Sequence, residues 1–330
     1  MVVPVDASID GAELGPDVRL IRRGRTMSLV GEALGWPRGH QVIGFCDRLP
    51  LVPTGASDTV LVVQNPHLYE LDHSAWPLLM RWKLAALRWW ALRSARTADR
   101  VICSTSASRA AVMAAAGIAG VRVMVRPIPA LGVSRSTREI TGPIRTAVLV
   151  GDMYAHKRHH EAIAALQLFA SNEGRRIEVL HLGRRIDLTA GADFDRAVAA
   201  ATHLDVKCLG SVPRSQVLST MGSADVLVLA SSTETQGLAL VEARSIGTAV
   251  VARSIGPFRD LAGMGTALVD PDEFVRGAAA ALERLDDPAT RATAISDSWP
   301  SDPPPTCWDV WSQVALTQDA RSQERPSADE

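Results

Sequence analysis

Cysteine is scarce in this chain: Cys46, Cys103, Cys208 and Cys307 are the only four in 330 residues, far apart and with no CxxC pair. That spacing excludes a disulfide framework and fits reduced, mostly packed thiols of a cytosolic protein. Long apolar runs are missing too, so no stretch reaches the length of a membrane span. The N-terminus lacks the basic region and apolar block of a signal peptide. There is almost no net charge, −1 at neutral pH. A dedicated nucleic-acid binder normally carries a basic excess, so any polyanion partner would need a local patch.

What the chain does have is alternation. In the C-terminal half, apolar runs at 146–150, 177–182, 206–209, 225–230, 249–252 and 266–269 read as strands. Helical patterns lie at 158–170, 194–201, 214–222, 238–246 and 257–261, with 273–285 following the last strand. Repeated β-α units bury a parallel sheet between helix layers and bind ligands beyond the carboxyl ends of the strands. The N-terminal half shows the same grammar less cleanly, with strands at 18–21, 41–45, 59–63, 100–103 and 121–125 and a long helix at 76–96. A length of 330 residues favours two domains. Glycine, serine and proline between Leu131 and Pro143 mark the boundary. The expected division is a shortened domain over 1–140, a second over 141–300, and a 301–330 segment. That last segment holds a proline-rich linker, a short helix at 308–316 and a polar, disordered end.

The densest chemistry lies in Ala230-Ser-Ser-Thr-Glu-Thr-Gln-Gly-Leu-Ala-Leu-Val-Glu-Ala-Arg-Ser-Ile-Gly247. The run 225–230 reads as a buried strand, Ser231 to Thr233 as capping residues, and Leu238 to Ile246 as a helix stopped by Gly247. Glu234 thus precedes the helix and Glu242 sits inside it, on the face of Leu238. Free amides at such a helix start favour an anion, typically phosphate.

This pattern resembles the Glu-x7-Glu signature of family 4 (group 1) retaining glycosyltransferases. The resemblance implies an α/β, GT-B architecture, two Rossmann-like parallel-sheet domains facing a cleft, here with a reduced N-terminal domain. It assigns Glu234 to the donor sugar's hydroxyls, the turn Thr235, Gln236, Gly237 and Leu238 to the diphosphate, and Glu242 to the ribose. A second cluster, Gly151-Asp-Met-Tyr-Ala-His-Lys-Arg-His-His160, places Lys157 at the start of a helix pattern. A lysine there reaches a diphosphate as a mobile point charge. The family usually carries an Arg as well, and Asp152 stands in its place, leaving Arg158 as the neighbouring candidate cation. Leu209-Gly-Ser-Val-Pro213 matches a loop whose backbone contacts the base, through Gly210 and Val212. In the N-terminal half His67 occupies a loop that often carries a histidine near the transferred sugar.

A metal is not expected. His156, His159 and His160 read as solvated histidines at a helix entrance. Asp193-Phe-Asp195 and Asp270-Pro-Asp272 place Asp193 and Asp272 just before helix patterns, as N-cap or first-turn residues. The helix at 76–96 mixes Trp82, Trp89 and Trp90 with five basic residues that do not collect on one face. It reads as packed within its domain, while its content still permits peripheral contact with a membrane.

The resemblance therefore implies a cytoplasmic retaining glycosyltransferase, in solution or peripheral at the inner face of the membrane. It would move sugar from a UDP- or GDP-sugar to a sugar, lipid-linked or small-molecule acceptor, with catalytic candidates Glu234, Lys157 and His67 and no cofactor or metal. Nucleic acid is not an expected partner; a protein partner is compatible. The alternatives are a non-catalytic GT-B-like subunit and a sugar-nucleotide epimerase. Met1-Val-Val-Pro-Val-Asp6 is a short strand candidate interrupted by Pro4, without the Gly-rich loop that opens the family. From that gap comes the expectation that this form binds donor but transfers sugar poorly, because its true start lies upstream or a partner completes it.

Overall fold

The computed structural model describes residues 2–4, 21–23, 41–44, 47, 49, 58–64, 67–70, 78–126, 133, 138–234 and 236–298. The chain divides into two compact units between Pro127 and Ile128.

In the N-terminal unit, β1 (Val2–Pro4) pairs in parallel with β2 (Ile21–Arg23). Pro4 is the last residue of its strand rather than an interruption, and β2 starts where the expected strand at 18–21 ends. A four-stranded parallel sheet follows, in the spatial order β3 (Gln41–Gly44), β4 (Asp58–Val63), β5 (Arg100–Cys103), β6 (Val123–Val125). A 3-10 turn at Gly120–Arg122 shortens β6 relative to the expected 121–125. The helices are α1 (His67–Glu70), α2 (Leu78–Thr97) and α3 (Ser106–Ala116). One face of the sheet, through Leu61, Val63, Val101 and Cys103, packs on Leu68, Ala91, Ala95 and Val112 of those helices.

The structure corrects the reading of α2. Trp82 and Trp89 are 70% and 60% exposed, while Ala91, Ser94 and Ala95 are buried. Small residues let the helix close on its neighbours, and the 3.6-residue period then turns the two indoles outward.

The C-terminal unit holds β7 (Thr146–Val150), β8 (Ile177–Leu182), β9 (Leu204–Gly210), β10 (Val226–Leu229), β11 (Ala249–Arg253) and β12 (Ala267–Val269). They lie in the order β12-β11-β10-β7-β8-β9, all parallel. The helices are α4 (His159–Asn172), α5 (Leu188–Ala200), α6 (Arg214–Ser223), α7 (Leu238–Ile246), α8 (Gly256–Leu261), α9 (Phe274–Asp286) and α10 (Pro288–Ser298). Strand alternation sorts them into two layers. Ala147, Leu149, Val226 and Val228 face α4, α5 and α9, whereas Val148, Leu227 and Leu229 face α6, α7 and α8. Chain order reverses between β7 and β10, so their carboxyl ends border the crevice where such sheets bind ligands.

Several local expectations give way. Helix α5 starts six residues before Phe194, because Asp187 caps it by accepting from the amides of Thr189 and Ala190 at 2.9 and 3.2 Å. Asp193 and Asp195 consequently lie within the helix, paired with Arg196 and Arg185. Asp272 donates its amide to Asp270 Oδ1 at 2.9 Å and Glu273 takes the N-cap position of α9. Helix α10 was not anticipated. Cys103 is buried but Cys208 is exposed, on the edge strand β9. Cys46, Cys307 and the segment 301–330, with its expected helix and tail, lie outside the described residues.

Candidate functional site

After β7 the chain makes a short 3-10 turn, Ala155–Lys157, and Arg158 takes a left-handed conformation (φ 47°) before α4 begins at His159. After β10 comes the loop that carries Glu234. Its backbone is tied to the first loop where the Ser232 amide donates to the His156 carbonyl at 2.8 Å. Both loops leave the switch point of the sheet, which explains why residues far apart in sequence meet there. Lys157 Nζ donates to Glu234 Oε1 at 2.6 Å, and Ser231 Oγ donates to the same oxygen at 2.7 Å. The side chains are 20% and 13% exposed. Oε2 of Glu234 has no hydrogen-bond partner among the described residues. Ser231 is therefore an orienting group for Glu234, not the helix-capping residue expected.

Gly237 is the residue before α7, at φ 59°, and no side chain caps the helix. A Cβ there would be strained by that φ and would press to 3.2 Å from Phe258 and Leu261. Leu240 and Val241 donate to the Gly237 carbonyl, so the amides of Leu238 and Ala239 at the helix start have no intrahelical acceptor. Gln236 is half-buried beside them; Thr235 lies outside the described residues. Four residues into α7, Glu242 Oε1 accepts from Arg214 Nε and Nη2 at 3.1 and 2.7 Å. Glu242 is 12% exposed, and its Oε2 has no partner among the described residues.

The loop under Lys157 rests on histidines that are not solvated. His159 is buried and its Nε2 lies 3.2 Å from the Gly151 carbonyl. The ring of His181 stands edge-on to it at 4.8 Å, fully buried, with neither nitrogen in hydrogen-bonding geometry. Burial first, and then His181 and Lys157 nearby, pull the His159 ring down to about 3, so it is neutral at pH 7 and its Nε2–H donates to Gly151. Burial lowers His181 as well. Beside them Gly183 passes so close that a Cβ would sit 2.0 Å from the Gly151 oxygen.

Other candidate residues find different employment. Arg158 Nη1 bonds Glu161 Oε1 at 2.6 Å. Glu161 also meets the buried Arg253, whose Nε donates to the Ala230 carbonyl at 2.8 Å, below the Glu234 loop. Asp152 accepts from the Arg184 amide at 2.7 Å and from its guanidinium at 2.7 Å. The Arg184 hydrogen bond holds the Asp152 carboxyl below the usual range. Gly210 closes β9, and its carbonyl accepts from the Gly183 amide at 2.9 Å, while Val212 packs against the α6–α8 layer. His67 opens α1 in the other unit; its side chain lies outside the described residues. Among the described residues no group of three or more His, Cys, Asp or Glu side chains could hold a metal.

Arg214, Arg184 and Arg253 escaped sequence reasoning. Each is an unremarked charge in its own segment and acquires a partner only through packing. Ser231 had a signal in its place three residues before Glu234.

Residues 137–296 match the family described as glycosyl transferases group 1. The chain is similar to the D-inositol 3-phosphate glycosyltransferase of Kineococcus radiotolerans, 28% identical over 220 residues, covering 59% of this chain and 51% of that protein. It is likewise similar to the glycogen synthase of Mycobacterium tuberculosis, 30% identical over 177 residues, covering 50% and 40%. The matched stretch thus spans about half or less of these relatives' length. Among solved structures, Anabaena HepE in complex with UDP-glucose superposes with a TM-score of 0.61 at 17% identity, covering 80% of this chain and 72% of that one. The α,α-trehalose 6-phosphate synthase of Burkholderia multivorans gives 0.55 at 14%, covering 81% and 66%. At these identities the likeness establishes the fold, which is GT-B with a reduced N-terminal domain.

Proposed function

We propose, from the match of residues 137–296 to the glycosyl transferases group 1, that the chain binds a nucleotide sugar in its C-terminal domain and transfers the sugar with retention of configuration. The observation that carries this reading is the meeting of Lys157 and Glu234 at the switch point of the sheet, beside the amino end of α7. The ammonium keeps N–H groups for diphosphate oxygens after pairing with Glu234, and the amides of Leu238 and Ala239 add donors of fixed position. Such preorganised donors stabilise the charge that develops on a departing nucleoside diphosphate. Glu234 has one oxygen held by Lys157 and Ser231 and one left to accept from sugar hydroxyls, which suits positioning rather than attack. No protein nucleophile is required if the acceptor attacks from the face that the leaving group vacates. Glu242, steadied by Arg214, keeps an oxygen for the ribose hydroxyls.

UDP is the first base to test, because HepE binds UDP-glucose on the same fold. The acceptor in this reading is a sugar, a lipid-linked molecule or a small molecule, met on the side of the N-terminal domain. Incubation with UDP- and GDP-sugars, with and without acceptor extracts, tests the reading through release of free nucleoside diphosphate. Acceptor-dependent release supports it. Release without acceptor and with inversion at C2 would instead identify an epimerase, and no release with intact donor binding a non-catalytic subunit.

A further inference from the structure

Arg253 closes strand β11 with its guanidinium buried, and each of its three nitrogens donates to a different segment. Nε meets the Ala230 carbonyl at 2.8 Å, Nη1 the Pro271 carbonyl, and Nη2 the carboxylate of Glu161, 92 residues away in the first turn of α4. The Phe274 ring covers the group, with its centroid 4.5 Å from the guanidinium carbon. In the sheet β10 lies between β11 and β7. This one side chain therefore reaches from the end of β11, past the end of β10, to the helix that follows β7.

Two of its partners lead directly to the candidate site. Ala230 precedes Ser231, whose hydroxyl orients Glu234. Glu161 gives its other oxygen to Arg158 Nη1 at 2.6 Å, and its amide donates to the Arg158 carbonyl at 2.9 Å. Arg158 follows Lys157 and holds a left-handed backbone, φ 47°, that residues with a Cβ rarely adopt. Such a conformation persists where the surroundings fix it, and Glu161 is the group that fixes this one. A buried ion pair is a poor source of stability beside apolar side chains of similar volume, because desolvation offsets its attraction. Its contribution here is geometry. A planar fork sets the separation of its acceptors, which an ammonium acting as a point charge would not.

On the reading that these loops bind a donor, we propose that Arg253 and Glu161 are positioning residues, whose pair fixes the Lys157 loop and the Glu234 loop at the separation that a nucleotide sugar spans. A bare nucleoside diphosphate engages Lys157, the amides of α7 and Glu242. The sugar conjugate adds Glu234, and so depends on both loops at once.

Calorimetric titration of the full chain tests this, with UDP, GDP and their glucose conjugates as probes and each variant held well below its melting midpoint, where it is folded. Arg253→Met keeps the length of the side chain but removes all three donors. It should weaken the conjugate that the parent binds best about tenfold, and the matching bare diphosphate less than about twofold. Glu161→Gln keeps the shape and removes only the charge, and should give the same order of effects with a loss of about threefold on the conjugate. Amide exchange over residues 151–158 and 231–237 should quicken together in both variants. A parent that binds none of the conjugates removes the donor reading and this proposal with it. Where the parent binds, the positioning pair alone is overturned if both folded variants match the parent's affinities, if conjugate and bare diphosphate lose equally, or if only one of the two loops exchanges faster.

Discussion

Lys157 Nζ rests 2.6 Å from Glu234 Oε1, although 77 residues of sequence separate them. Glu234 holds the ammonium in place but also competes with a bound diphosphate for it. Lys157→Ala is expected to weaken binding of the bare nucleoside diphosphate about tenfold, the loss of one charge-assisted contact. Glu234→Gln should weaken the sugar conjugate yet leave the bare diphosphate unchanged or bound more tightly, since the lysine is released. Calorimetric titration of both ligands decides it; equal losses for both ligands in Glu234→Gln would remove the carboxylate from the sugar subsite.

Arg214 and Glu242 form the second pair, and Arg214 is half exposed, which limits its direct worth. Its role is to hold a carboxylate that a ribose would use. Arg214→Ala should reduce nucleotide affinity less than Glu242→Ala, and the double variant should fall short of the sum by about 0.5–1 kcal/mol. Strict additivity in that cycle would show that the two act separately.

Acid should loosen the loop beneath Lys157. The folded His159 ring sits at about 3, against 6.5 for an unperturbed histidine. Unfolding therefore takes up a proton, so this contribution is complete above about pH 6.5 and is lost as pH falls toward 3. At pH 5 the loss from this one ring is about 2 kcal/mol. Urea midpoints measured at pH 7 and pH 5 should diverge for the parent and much less for His159→Gln, whose amide can still donate to Gly151.

Gly183 tests the architecture of the same loop. A Cβ at that position overlaps the Gly151 carbonyl, which is backbone and cannot step aside cheaply. Gly183→Ala should cost about 2–4 kcal/mol of stability or displace the 151–157 loop, and lower affinity for the donor with it. A melting midpoint and donor affinity both equal to the parent's would contradict the close approach.

Much of the C-terminal fold was legible from local pattern. Strand β7, strand β8 and helix α7 fall at the expected residues, because a buried apolar run bounded by turn residues, or a helix closed by Gly247, is set by neighbours in the chain. Helix α5 begins six residues before the point that local pattern indicates. Its true cap, Asp187, precedes a stretch with little apolar periodicity, and the later Asp193 carried a false capping signal.

Sequence by itself determined the βα units, the position of Glu234 before a helix and of Glu242 within it, and a lysine in the loop after β7. Those are consequences of periodicity, capping and spacing, which act over a few residues. Only the tertiary structure decided the rest. Strand order brought β7 beside β10 and so joined Lys157 to Glu234; helix packing gave Glu242 its Arg214 and buried His159 beside His181. On α2 the apolar periodicity was ambiguous between two faces, and the small buried residues Ala91 and Ala95 settled it by drawing that side inward and leaving Trp82 and Trp89 outside. Side-chain partners across a sheet or between helices depend on which elements become neighbours, and no local pattern carries that information.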